Sequence, residues 1–333
     1  MSNHFNISGT MGLIILENKS YNNKVYLFLD DHSNTNYCGK NEIFISELFE
    51  HIQHIQKYNS DTVLFLLEEP LINSKSNIMS MWNDSIHIVK FKNYYYKFLS
   101  KCSNTKVCNV FPIDIRLCIF DISLDEFIEK IKDDNYFNSI NYNRYDTYYY
   151  FRNLLYIFDL INEYDFNKLI ELSYSKNENI HNVKFVKKVF DVFKNSDYYM
   201  KLKSKIELLT KLYITPNRNI PIQKFLSNNM SFNYDFVEGY PFVENNNTNF
   251  IDMVDKILNS LLEFYTIILT NYMNYKVVII NTGFFHGLTI QNILKNIYNY
   301  NIIYKKGLTE FKDINKQEYK NCLIIDKNIF KIL

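Results

Sequence analysis

Acidic, basic and histidine side chains recur directly after short apolar runs in this chain, and their types suit proton transfer or metal ligation. Asp30-Asp31-His32 follows the apolar run at 25–29. Residues two apart in extended backbone share a face, so Asp30 can orient the His32 imidazole as a general base, or both can ligate one cation. The competing reading is a turn with solvated acids. Glu68-Glu69 closes the run at 62–67. A carboxylate there can ligate a metal, position water or take a raised pKa, and Glu68 is preferred because it lies nearer the strand; a solvated loop entry is the alternative. Asp114-Ile115-Arg116 puts two charges on one side of an extended segment. Arg116 can clamp a carboxylate or meet developing negative charge, or the pair can be a structural bridge between sheet and cap. Gly283-Phe284-Phe285-His286-Gly287 follows the run at 277–280 and precedes a helical pattern of Leu288, Ile290, Ile293 and Leu294. A histidine there stands over helix N-terminal N–H groups, which favour anions and polarised oxygens. In a chain with only seven glycines and seven histidines the combination stands out; the alternative is a loop whose histidine caps the helix.

Positioning these clusters requires strands. Short apolar runs without polar alternation belong to sheets covered on both faces, which are mostly parallel. In open α/β sheets ligands bind beyond the carboxyl ends of the strands. Four polar clusters at four such ends therefore point to one shared site. The runs at 13–16 and 25–29 read as a hairpin across a polar loop. Helical spacing at 41–58 and 82–99 alternates with strands at 62–67 and 107–111, which argues for right-handed crossovers. From residue 123 helix-period runs follow one another, at 125–132, 145–164, 182–193, 199–213 and 249–273. The sheet resumes at 276–280, followed by a helix at 287–300 and strands at 302–304 and 322–325. The expected architecture is α/β, with a parallel-rich central sheet, flanking helices and a mostly helical insertion or cap. The first half of the core spans 1–122, the insertion 123–275 and the second half 276–333.

Composition bounds the rest. A chain of 333 residues with 47% apolar and 17% aromatic residues can bury a large core without staples. Tyr (28) and Phe (27) abound while Gly (7), Pro (5) and Trp (1) are scarce, the imprint of an AT-rich genome such as that of a large DNA virus. A net charge of +1 gives no field that would steer the chain to nucleic acid or an anionic membrane. Five cysteines without tight spacing favour a reducing compartment. The N-terminus has neither a basic segment nor a long apolar run, so no signal peptide is expected, and no apolar stretch approaches the ~20 residues of a membrane span. A cytoplasmic location follows as the expectation. His51 and His54 lie three apart on a helix without an evident acidic partner, and His87 and His181 fall among apolar and lysine-rich residues. No P-loop, dinucleotide fingerprint, Gly-x-Ser-x-Gly elbow or Cys-x-x-Cys pair occurs.

The order of these motifs resembles the superfamily that joins erythromycin esterases, ChaN-like haem-binding lipoproteins and the TraB/TIKI proteins. That pattern is a strand followed by Gly-Glu-x-His, a later strand ending in Glu, an acidic/basic motif, and a late strand followed by Gly-x-x-His. Here the motifs read Leu29-Asp30-Asp31-His32, Leu67-Glu68, Asp114-Ile115-Arg116 and Gly283-Phe284-Phe285-His286-Gly287, and they cover about twenty residues. Leu29 stands for the family glycine and Asp30 for the glutamate. The resemblance implies a hydrolase-like site on a peptide, ester or similar carbonyl substrate. His32, Asp30, Glu68 and His286 would converge around a divalent metal (Mn, Co, Zn or Fe), or form a metal-free general-base arrangement. His32 or His286 would activate water, with Arg116 and Asp114 completing the catalytic set. The other reading is a catalytically inactive member of the fold that serves as a binding or structural protein. The expected partners are a small-molecule or peptide substrate and a protein bound through the helical cap.

Overall fold

A computed structural model describes residues 4–56, 63–70, 85–102, 110–114, 116, 146–148, 151, 191–229, 250–272, 275–314 and 319–330. The helical run anticipated at 125–132 lies outside these residues, as do most of those at 145–164 and 182–193. Nine strands are described: β1 (His4–Ser8), β2 (Gly12–Asn18), β3 (Asn23–Asp30), β4 (Glu42–Phe44), β5 (Val63–Pro70), β6 (Val110–Asp114), β7 (Val277–Gly283), β8 (Asn301–Gly307) and β9 (Cys322–Asp326). The described helices are α1 (Ile45–Gln56), α2 (Ile86–Cys102), α3 (Asp197–Leu209), α4 (Ile222–Asn229), α5 (Phe250–Tyr272), α6 (Phe284–Ile297) and α7 (Phe311–Ile314).

The protein is α/β. Six strands form one sheet in the order β6-β5-β7-β3-β2-β8. The four from β6 to β3 are parallel, while β2 pairs antiparallel with both β3 and β8. The expected hairpin is thus β2–β3. Strand β7, which follows the helical insertion, lies between β3 and β5, so the two halves of the core complete each other. The parallel strands read as continuous apolar runs because each face meets a different layer. On one face Leu27, Leu29, Leu64, Leu66 and Ile280 pack against α3, α4, α5 and α6. On the other, Tyr26, Phe28, Phe65, Leu67 and Ile279 pack against α1, α2 and a second sheet. That second sheet has the order β4-β1-β9. It corrects one expectation: the strand at 322–325 leaves the main sheet and pairs with β1.

Two local features shape the carboxyl ends. Leu67 pairs with Pro112 and Pro70 with Asp114, so β5 carries one residue more than β6 between those pairs. Such a bulge bends the strand and re-aims its side chains, and here it falls on Glu68 and Glu69. At the end of β7, α6 begins at Phe284, earlier than expected, which sets His286 inside the first helical turn. Gly283 has φ −54°, so its place at the N-cap does not need glycine's conformational freedom. Gly287 is needed for space, because a Cβ there would stand 2.1 Å from Leu29 Cδ2.

Cys38, after β3, and Cys322, at the start of β9, form a disulfide with a Cα–Cα distance of 4.8 Å. Their separation of 284 residues kept this pairing out of sight in a sequence read for local cysteine spacing. Among the described residues no helix is long and apolar enough to cross a membrane.

Candidate active site

The four carboxyl ends do meet. Asp30 closes β3 and pairs in register with Gly283 of β7. Glu68, in the bulge of β5, accepts hydrogen bonds at Oε2 from the Thr282 hydroxyl and the Gly283 amide, both at 2.6 Å. That anchorage turns its other oxygen, Oε1, toward three cations or potential cations. His32 Nε2 lies 3.8 Å from Oε1, His286 Nε2 3.7 Å, and an Arg116 Nη 3.5 Å. The two imidazoles thus face one carboxylate oxygen from two strand ends.

Each imidazole is held from behind by an acid. His32 Nδ1 is 3.2 Å from Asp30 Oδ2, and His286 Nδ1 is 3.2 Å from Glu263 Oε1. Tyr198 of α3 donates to the other Glu263 oxygen at 2.6 Å. Arg116 makes a two-pronged contact with Asp114, its Nε and an Nη each at 2.9 Å, and donates from its other Nη to Asn259 Oδ1 at 2.9 Å. Asn259 and Glu263 are four residues apart, so one face of α5 supplies the support for both Arg116 and His286. A planar guanidinium held at this many points is a fixed charge.

Electrostatics follows from this packing. Burial alone would lower the His32 pKa, but the Asp30 charge and hydrogen bond, with Glu68 behind them, lift it well above the ordinary histidine value. Burial also opposes the His286 charge, and Glu68 and Glu263 together raise its pKa against Arg116. Glu68 resists the upward push of burial because His286, His32 and Arg116 hold its carboxyl well below the usual range. Asp30 is likewise kept low against burial by the His32 charge and hydrogen bond and by the electrostatic pull of His87. Glu69 is the opposite case. Burial, with Glu68 and Asp114 nearby, pushes it up to about 8 despite Lys92 and His32. The two carboxylates thus differ: cations hold Glu68 toward its charged form, and burial pushes Glu69 toward its neutral one.

Six residues singled out from the sequence, Asp30, His32, Glu68, Asp114, Arg116 and His286, form one contact network. They do not all face a single point, because His32 turns Nδ1 to Asp30 and Nε2 to Glu68, on opposite sides of its ring. Asp31 turns away from both histidines and accepts from Ser33 and from Tyr319. The sequence reading missed Asn259, Glu263, Tyr198 and His87. Polar residues within the apolar stretch of α5 were the available signal for the first two. His87, at the start of α2 and 1% exposed, was passed over for its apolar surroundings, yet its Nε2 stands 3.6 Å from Asp30 Oδ2. Asp30, His32 and His87 form a buried Asp–His–His group, with one ligand atom from each lying within 4.8 Å of the others, and this group could hold a metal ion. His51 is on the surface, and His181 lies outside the described residues.

Comparison of the chain with protein-family models, with curated proteins and with solved structures returned no match.

Proposed function

We propose that the chain is a hydrolase of a peptide, ester or similar carbonyl substrate, and that its cleft lies over Glu68 Oε1. The observation that carries this reading is the pair of acid-backed imidazoles directed at one carboxylate oxygen beside a fixed guanidinium. Acid–base chemistry at one centre needs two groups with different proton affinities. The Arg116 charge opposes protonation of His286, and we assign His286 as the group that gives up its proton. His286 then acts as the general base that takes a proton from water, oriented by Glu263. His32 stays protonated and donates toward the leaving group. Arg116 faces the oxyanion or an anionic group of the substrate, where a charge already in place costs no reorganisation.

The resemblance to the erythromycin esterase, ChaN-like and TraB/TIKI superfamily points the same way. Leu29, which stands for the family glycine, is fully buried in the core and takes no space from the cleft. Asp30, one methylene shorter than the family glutamate, still reaches His32. Both observations favour an active site over an inactive derivative. The Cys38–Cys322 bond suits an oxidising setting and runs against the reducing compartment expected from the cysteine spacing.

The reading is tested with activated acyl esters and a fluorogenic peptide library, comparing wild type with His286→Ala. The expected loss is about 10²-fold or more in kcat/KM at unchanged circular dichroism and Tm. Full turnover in a folded His286→Ala variant sinks the assignment.

A further inference from the structure

Behind His32, on the side away from Glu68, two buried polar atoms lack hydrogen-bond partners among the described residues: Asp30 Oδ1 and His87 Nε2. Both residues are 1% exposed. Leaving such groups bare is costly, and the native fold sets the two residues beside each other. Asp30 Oδ2 is 3.2 Å from His32 Nδ1 and 3.6 Å from His87 Nε2, the second too long for a hydrogen bond. Ligand atoms around a tetrahedral ion with bonds of about 2.1 Å stand about 3.4 Å from one another. The two distances bracket that edge.

The surroundings hold the ligand atoms in place. His87 Nδ1 is 3.0 Å from the Tyr37 hydroxyl, and the two rings meet edge to face. A metal-ligating histidine commonly engages its second ring nitrogen in this way, which fixes ring and tautomer. Gly9 packs against the other side: a Cβ there would lie 2.6 Å from His87 Cβ, and its φ of +84° suits glycine. Asp30 ends β3 and His87 lies in the first turn of α2, so the ligands sit on or beside rigid elements.

We propose that a divalent first-row transition metal ion, of the zinc and cobalt class, binds between Asp30, His32 Nδ1 and His87 Nε2. Two imidazoles and one carboxylate suit such ions. The position is buried behind the His32 ring, so the ion orients a side chain of the cleft and takes no part in activating water there. Ligation through Nδ1 leaves the remaining His32 proton on Nε2, facing Glu68 and the cleft. His32 is thereby fixed as a neutral hydrogen-bond donor at Nε2, and His286 is left as the base. This last consequence rests on the hydrolase reading; the site itself does not.

Zinc content of the full chain, loaded with Zn²⁺ and dialysed against metal-free buffer, tests the site in wild type, His87→Gln, Tyr37→Phe and His286→Ala. About one zinc per chain is expected in wild type and in His286→Ala, with loss in His87→Gln. Tyr37→Phe should weaken binding about 10- to 100-fold, and it stands in if His87→Gln fails to fold. Cobalt in place of zinc should give visible absorption bands that His87→Gln abolishes. A wild-type chain that retains no zinc overturns the site and leaves water in its place. Zinc lost in His286→Ala but kept in His87→Gln moves the ion to the cleft and also overturns it. Zinc bound as expected in a chain inactive on every ester and peptide would leave the site standing and remove the hydrolase reading instead.

Discussion

Leu29 occupies the space in which a side chain at Gly287 would begin, with Cδ2 2.1 Å from the position of a Cβ there. Helix α6 can approach the end of β3 this closely only because one member of the pair has no side chain. The approach holds the first turn of α6, and with it His286, against the strand that carries Asp30. Gly287→Ala is expected to destabilise the protein by about 1–3 kcal/mol through overpacking. Leu29→Ala in the same chain should recover part of that loss, a coupling that urea denaturation of both single variants and the double variant measures. Additive effects would show that the two residues do not touch.

A pH–rate profile tests the division of roles between the histidines. Both pKa values are raised, so both rings are charged at the ordinary histidine pKa and the base form grows only above it. Activity is expected to climb with pH as His286 loses its proton. Glu263 contributes to that upward shift, so Glu263→Gln should move the rise to lower pH while lowering the plateau. A profile already flat below neutrality, or one that Glu263→Gln leaves in place, contradicts the assignment of His286 as base.

Glu69 gives a prediction for stability that is separate from catalysis. Its folded pKa is raised to about 8, above the ordinary glutamate value, because the carboxyl is buried. Between those two values the folded chain holds a proton that the unfolded chain has lost, so stability falls as pH rises through that window. Below it the contribution is fully present, and above it the loss is complete. Glu69→Gln removes the ionisation. The variant should therefore gain on wild type in urea denaturation between about pH 5 and about pH 8.5. A difference independent of pH would mean that Glu69 is already ionised in the fold.

The strand ends were legible because a strand buried on both faces leaves an unbroken apolar run, and the first polar residue after it marks the edge of the sheet. Asp30, Glu68, Asp114 and the segment before His286 were found in that way. The choice between Glu68 and Glu69 depended on a bulge that depends on pairing with β6, which no local pattern encodes. Glu263 and Asn259 look like mere interruptions of an apolar helix until their partners, His286 and Arg116, are known. His87 reaches the site through Tyr37 and Asp30, from an element whose periodicity says only that it is a helix. The pairing of β9 with β1 and the bond between Cys38 and Cys322 join the two ends of the chain, and such long-range contacts leave no local trace.

The claim on which the functional account depends is that Glu68 ties both imidazoles to one point. Nitrogen-15 NMR titration of the histidine rings of the metal-free chain, in wild type and in Glu68→Gln, measures this without a substrate. Glu68 raises both His32 and His286, so removal of its charge should lower both titration midpoints. If either ring titrates unchanged in Glu68→Gln, the two histidines do not share that carboxylate and the proposed centre does not exist.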